Sequence, residues 1–124
     1  RVGGPAVLSF PDLLRIYFCV QPTDMRKSFD TLAAVVREWL GHDPLSGHLF
    51  VFRSRRGDRV KLLWWDRDGL VLHYKRLERG TFRFPASPDP QARSIEVSPQ
   101  ELSLVLWGID PTSVRRQPRY ERAG

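Results

Sequence analysis

Cysteine is nearly absent: Cys19 is the single one in 124 residues. That excludes an internal disulfide and fits a reducing compartment. Histidines number three, and His42 and His48 flank a Pro-Leu-Ser-Gly loop with no cysteine beside them, which does not make a zinc signal. Asp66, Asp68, His73 and Glu78 form the other conceivable ligand set, but aspartates in a D-x-D-G turn are explained by turn chemistry alone. Ser/His/Asp, paired-carboxylate and Gly-rich phosphate spacings are missing too. The expectation is a protein that is not an enzyme and takes neither metal nor cofactor. No apolar run approaches the roughly 18 residues of a membrane span, and no charged-then-apolar leader opens the sequence. The expected place is the cytoplasm, with no membrane partner.

Positive charge is present and unevenly placed. The chain carries 20 Lys and Arg against 14 Asp and Glu. Between Gly47 and Pro85 the ratio is ten to four, and outside that stretch it is ten to ten. A surplus confined to one supersecondary unit is a local electrostatic footprint that points to a polyanionic partner, nucleic acid first. A chain of this length forms one domain and buries about two-thirds of its unfolded surface, enough to fold without staples.

The basic stretch reads LFVFRS-RRG-DRVKLLWWD-RDG-LVLHYKRL-ERG-TFRFP, an antiparallel meander of four strands joined by three turns of one kind. Gly57, Gly69 and Gly80 each stand third in their turn, where a three-residue hairpin loop needs positive φ. That choice pairs Phe52 with Val60, Phe50 with Leu62, Trp64 with Leu72, Leu62 with Tyr74 and Arg76 with Phe82. Side chains alternate along a strand. One face then collects Phe50, Phe52, Val60, Leu62, Trp64, Leu72, Tyr74, Phe82 and Phe84 as a core. The other collects Arg53, Arg59, Lys61, His73, Lys75 and Arg83 with Leu49, Val51, Leu63, Trp65 and Val71. The first and third turns share one end of the sheet, bringing Arg55, Arg56 and Arg79 beside Arg53, Arg59, Lys75 and Arg83, while Asp66 and Asp68 mark the other end.

Leu14 to Val20 reads as a strand. From Met25 the residues Met25, Phe29, Leu32, Val36, Trp39 and Leu40 recur at helical spacing, and Gly41 supplies the stop. This helix should cover the core face. Residues 86 to 93 form a Pro-containing linker, and Ser94 to Val97 a short edge strand. Ser98-Pro99-Gln100-Glu101 is a capping box that opens a second helix with Leu102, Val105 and Leu106 on one side, ended by Gly108. The tail RRQPRYERAG has no apolar pattern and should be disordered. The fold class is α+β: a four- to five-stranded antiparallel meander against an amphipathic helix, plus a short C-terminal helix.

Arg26 and Lys27 fall in the expected first turn of the first helix, where cations oppose the macrodipole. They are either solvated or, with the helix amides, a phosphate site. Lys61, Trp65, His73 and Lys75 are either an ordinary wet sheet face or a binding surface, since an exposed Trp among cations suits base stacking. A second helix packed on that face would also cover it. As wet-face residues, Lys61 and Lys75 should each tolerate alanine within about 0.5 kcal/mol.

Three segments, PTDMRKSFDTLAAVV, DPLSGHLFVFRSRRGDRVKLLWWDRDGLVLHYKRLERGTFRFP and IEVSPQELSLVLWGID, closely resemble the TnpB accessory proteins, the second reading frame of insertion-sequence-sixty-six transposable elements. The likeness runs from about Leu14 to Asp110. It implies a bacterial protein, cytoplasmic and associated with the nucleoid, that assists transposition beside a separate transposase carrying the chemistry. The expected organisation is an extension over residues 1–13, one domain over 14–110 and a basic tail over 111–124. The expected activity is DNA binding, mainly to phosphates, through Arg26, Lys27, Arg53, Arg55, Arg56, Arg59, Lys61, Trp65, His73, Lys75, Arg79 and Arg83. The alternative is an adaptor that holds the transposase or a companion accessory protein through Leu63, Trp65 and Val71.

Overall fold

The computed structural model describes residues 14–107. Five strands form one sheet in the order β4-β3-β2-β1-β5. These are β1 (Ile16–Cys19), β2 (Leu49–Arg53), β3 (Arg59–Asp66), β4 (Gly69–Arg76) and β5 (Ser94–Val97). β1 runs parallel to β2, with Ile16 opposite Leu49, and antiparallel to β5; β2, β3 and β4 form an antiparallel meander. Parallel neighbours need a crossover, and helix α1 (Phe29–Ala34), prolonged by a π-wound turn over Val35–Leu40, supplies it. Helix α2 (Pro99–Trp107) closes the described chain. The architecture is α+β, with a mostly antiparallel sheet. None of the described helices is long and apolar enough to cross a membrane.

The fourth meander strand is not formed. After β4 the chain turns at Gly80, φ 78°, and residues 81–84 cross the sheet end instead of pairing with β4. Phe82 donates its N–H to Gly57 O at 2.8 Å. β4 is thus an edge, as is β5, which takes the expected bounds.

Register also departs from expectation, by one residue at each hairpin. In the first turn Ser54 N–H donates to Arg59 O at 3.0 Å, leaving a four-residue loop, Arg55–Asp58. Buried Ser54 organises it: its Oγ accepts from the amides of Gly57 at 3.2 Å and Arg59 at 3.1 Å. Gly57 has φ 81° as the turn demands. In the second hairpin Asp66 pairs with Gly69, so the loop holds two residues. There Arg67, with φ 56°, takes the left-handed conformation and Gly69 does not. Hence Phe50 faces Leu63, not Leu62, and Leu72 faces Leu63, not Trp64. A one-residue slip exchanges the faces of a strand relative to its neighbour. β3 is therefore turned over relative to β2 and β4.

Both faces of the sheet are covered. On one, Cys19, Phe50, Phe52 and Leu63 pack with Leu32, Ala33 and Val36 of the first helix. On the other, Ile16, Phe18, Val51, Val60, Leu62 and Val97 pack with Phe82 and with Leu102, Val105 and Leu106 of α2. The division into one core face and one wet face is replaced by three layers.

Helix α1 starts at Phe29, not Met25. Ser28 caps it, its N–H donating to Thr31 Oγ1 at 2.8 Å, and Gly41, φ 73°, stops it by donating to Val36 O. The capping box of α2 forms as read: Ser98 N–H donates to Glu101 Oε1 at 2.7 Å and Glu101 N–H to Ser98 Oγ at 3.1 Å. Residues 1–13, Gly108 and the basic tail lie outside the described residues.

Candidate nucleic-acid interface

Strand directions gather the basic loops. Because β1 and β2 are parallel and β3, β4 and β5 run the other way or return, one end of the sheet holds the ends of β1, β2 and β4 and the starts of β3 and β5. Four backbone bonds fasten the loops there. Thr23 N–H donates to Arg53 O (2.8 Å), Leu77 N–H to Asp58 O (2.8 Å), Phe82 N–H to Gly57 O (2.8 Å) and Val20 N–H to Arg93 O (2.9 Å). Arg26 and Lys27 thus share an end with Arg55, Arg56, Arg59, Arg76, Arg79 and Arg83, against the carboxylates Asp24, Asp58 and Glu78. The sequence placed the meander cations together; bringing the 22–27 loop to them was the work of the parallel β1–β2 pair. At the opposite end the turn holds Asp66, Arg67 and Asp68.

The anticipated site residues separate into exposed and internally engaged groups. Arg55, Arg56, Arg79 and Arg83 are exposed on the loops of the basic end. Arg26 is exposed but paired: its guanidinium donates to both oxygens of Asp24, at 2.6 to 3.1 Å. Those bonds, with one from the Arg26 amide, hold the Asp24 carboxyl well below the usual carboxylate range and raise the guanidinium in turn. Arg26 and Lys27 lie in the loop before Ser28, outside the first helical turn, so the helix-amide phosphate site is not built.

Lys61 is a correction. It faces α1, is 5% exposed, and its Nζ donates to Met25 O at 2.7 Å and Lys27 O at 2.6 Å beneath the Tyr74 ring, 4.5 Å from the centroid. Lys75 lies on the α2 face and donates to Leu106 O at 2.9 Å, a cation at a helix C-terminus. His73 shares that face, while half-buried Trp65 lies on the α1 side with Lys61. The four residues read as one surface therefore divide between two covered faces. Arg53 is also held inward, donating to Val20 O at 3.0 and 3.3 Å with its guanidinium 5.7 Å from the Phe84 ring centre. The apolar anchor dissolves as well, since Leu63 is buried in the core and Trp65 and Val71 sit on opposite faces.

Arg59 lies directly across the ladder from Arg76 and donates to Tyr74 Oη at 3.3 Å. Tyr74, expected in the core, is 47% exposed. Sequence reading missed it, along with Arg76; the signal was the register, because a two-residue second loop turns Tyr74 toward Lys61. Arg93 was missed too: its guanidinium stacks 3.9 Å from the Trp39 ring centre. Burial pushes the Cys19 thiol up, which disfavours the reactive thiolate.

Comparison with known proteins gives the family. Residues 14–116 match the family model described as IS66 Orf2 like protein. Two relatives come from Sinorhizobium fredii, each carrying the name uncharacterized protein. One, y4jC, is 42% identical over 105 residues, covering 85% of this chain and 87% of the relative. The other, y4hO, is 43% identical over 97 residues, covering 78% and 82%. No solved structure matches. The chain belongs to the IS66 Orf2-like family, whose role is that of an accessory to transposition.

Proposed function

We propose that this protein assists transposition without catalysing it, by gripping the phosphate backbone of the element's DNA with the basic end of its sheet. The observation that carries the reading is the convergence of three cationic loops, 22–27, 54–58 and 77–83, tied by backbone hydrogen bonds. Phosphates are the fitting target because these arginines stand on loops and strand ends, and not along the face of a helix that could enter a groove. The grip is accordingly weak in sequence preference, and the transposase brings the chemistry.

Salt titration with a duplex of the element end and a random duplex tests this. Five phosphate contacts would give a log–log slope near 4.5, so affinity should fall roughly 500-fold from about 50 to 200 mM salt. Arg55→Glu/Arg56→Glu should lower the slope by about 2, while Arg67→Glu at the opposite end should change little. Undetectable binding of both duplexes at about 50 mM salt would end the reading.

A further inference from the structure

We propose that the hollow bounded by Arg59, Tyr74 and Arg76 is a seat for one phosphate group, with the tyrosine hydroxyl as its neutral donor. The hollow measures about 270 Å³ and Glu78 completes its lining. Two like charges directly opposite on paired strands destabilise a sheet, and Arg59 and Arg76 stand so at the last pair of the β3–β4 ladder. The protein's own answer to them is slight. Glu78 reaches Arg76 only at 3.8 Å, with both side chains more than half exposed, a pair worth little in water. An oxyanion between the guanidinia would turn the repulsion into a clamp.

Tyr74 is built for the same ligand. Its ring rests on the Lys61 ammonium, 4.5 Å from the centroid, and that ammonium is anchored by two carbonyls. Its hydroxyl oxygen accepts from Arg59 Nη1 at 3.3 Å. With the oxygen accepting from a cation, the phenolic proton is left to donate to an acceptor. Apart from Glu78, the hollow presents two guanidinium forks and one O–H, donors that suit a tetrahedral anion better than a cation or a flat apolar ligand. Glu78 is the competing acceptor that an arriving phosphate displaces.

The chemistry is shared by a backbone phosphodiester and a free phosphate; the first source rests on the DNA reading above, the second does not. The test uses the whole chain. Melting temperature and affinity are measured with inorganic phosphate against sodium chloride at equal ionic strength, and affinity with a short duplex in parallel. Phosphate should stabilise the parent beyond chloride, and Arg76→Ala should abolish the difference. Tyr74→Phe keeps charge, ring and the Lys61 contact, so it isolates the hydroxyl; phosphate affinity should fall roughly tenfold. Glu78→Gln should tighten phosphate several-fold. A matching loss with the duplex assigns the seat to a phosphodiester, and a loss confined to inorganic phosphate assigns it to a free phosphate. If the parent binds no duplex yet shows the phosphate shift, the DNA function falls and the seat stands. Phosphate no better than chloride, or Tyr74→Phe within twofold of the parent for phosphate, overturns the proposal.

Discussion

Replacing Lys61 by alanine should cost about 3 kcal/mol of stability, far from the near-neutral change expected of a lysine on a wet sheet face. The side chain is 5% exposed, and its ammonium bonds Met25 O and Lys27 O at 2.7 and 2.6 Å. Hydrogen bonds to a charged group are worth about 1.5 to 3 kcal/mol each. The methylenes beyond Cβ add about 2 kcal/mol of lost burial. Against this stands the ammonium's desolvation, several kcal/mol, which the alanine variant no longer bears. Lys61→Met separates the contributions, since it keeps the stem and loses only the head group; its expected cost is about 1 to 2 kcal/mol. Urea denaturation by linear extrapolation reads both, and the alanine variant should melt roughly 12 to 24 °C below the parent. Amide exchange over residues 25–27 should speed up in both variants, because the clamp on that loop is gone. An alanine variant within 0.5 kcal/mol of the parent would refute the buried clamp and return Lys61 to the surface.

Gly57→Ala should lose about 1 to 2 kcal/mol, since its φ is 81° and L-residues pay that for the left-handed conformation; Gly69→Ala, with open space around it and no positive φ, should be nearly neutral in the same melts. The Asp24 carboxyl, held low by Arg26, should titrate by NMR well below the ordinary aspartate value of about 3.9. A depressed folded pKa means that its contribution is present above that value and is lost as pH falls through the folded pKa. Arg26→Ala should restore ordinary titration, and an unchanged low value would exclude the ion pair as the cause.

Local signals were legible wherever a residue acts within a few positions of itself. Ser98 and Glu101 cap α2 because their partners are three residues away. Gly41, Gly57 and Gly80 take positive φ where the chain must turn, and β5 has the bounds its composition indicated. Helix α1 was placed four residues early because Met25 fits the apolar spacing, yet Met25 turns its carbonyl to Lys61 and packs from a loop. Ser28, with Thr31 three residues on, was the cap that the pattern concealed.

The site shows the same division. That the cations concentrate between Gly47 and Pro85 is a property of the sequence alone, and so is the pairing of the first and third turns at one end of the sheet. What the sequence could not decide was the facing of β3, because Val60, Leu62 and Trp64 on one side and Leu63 and Trp65 on the other are alike apolar. Strands buried on both faces lose the alternation that specifies register, and loop lengths decided it: four residues organised by Ser54, then two around Arg67. That choice buried Lys61, exposed Tyr74 and set Arg59 across from Arg76. Composition and turn residues determined the elements and where the charge lies; tertiary packing decided which charges meet a partner inside and which remain for one outside, because two apolar faces admit either helix until the register is closed.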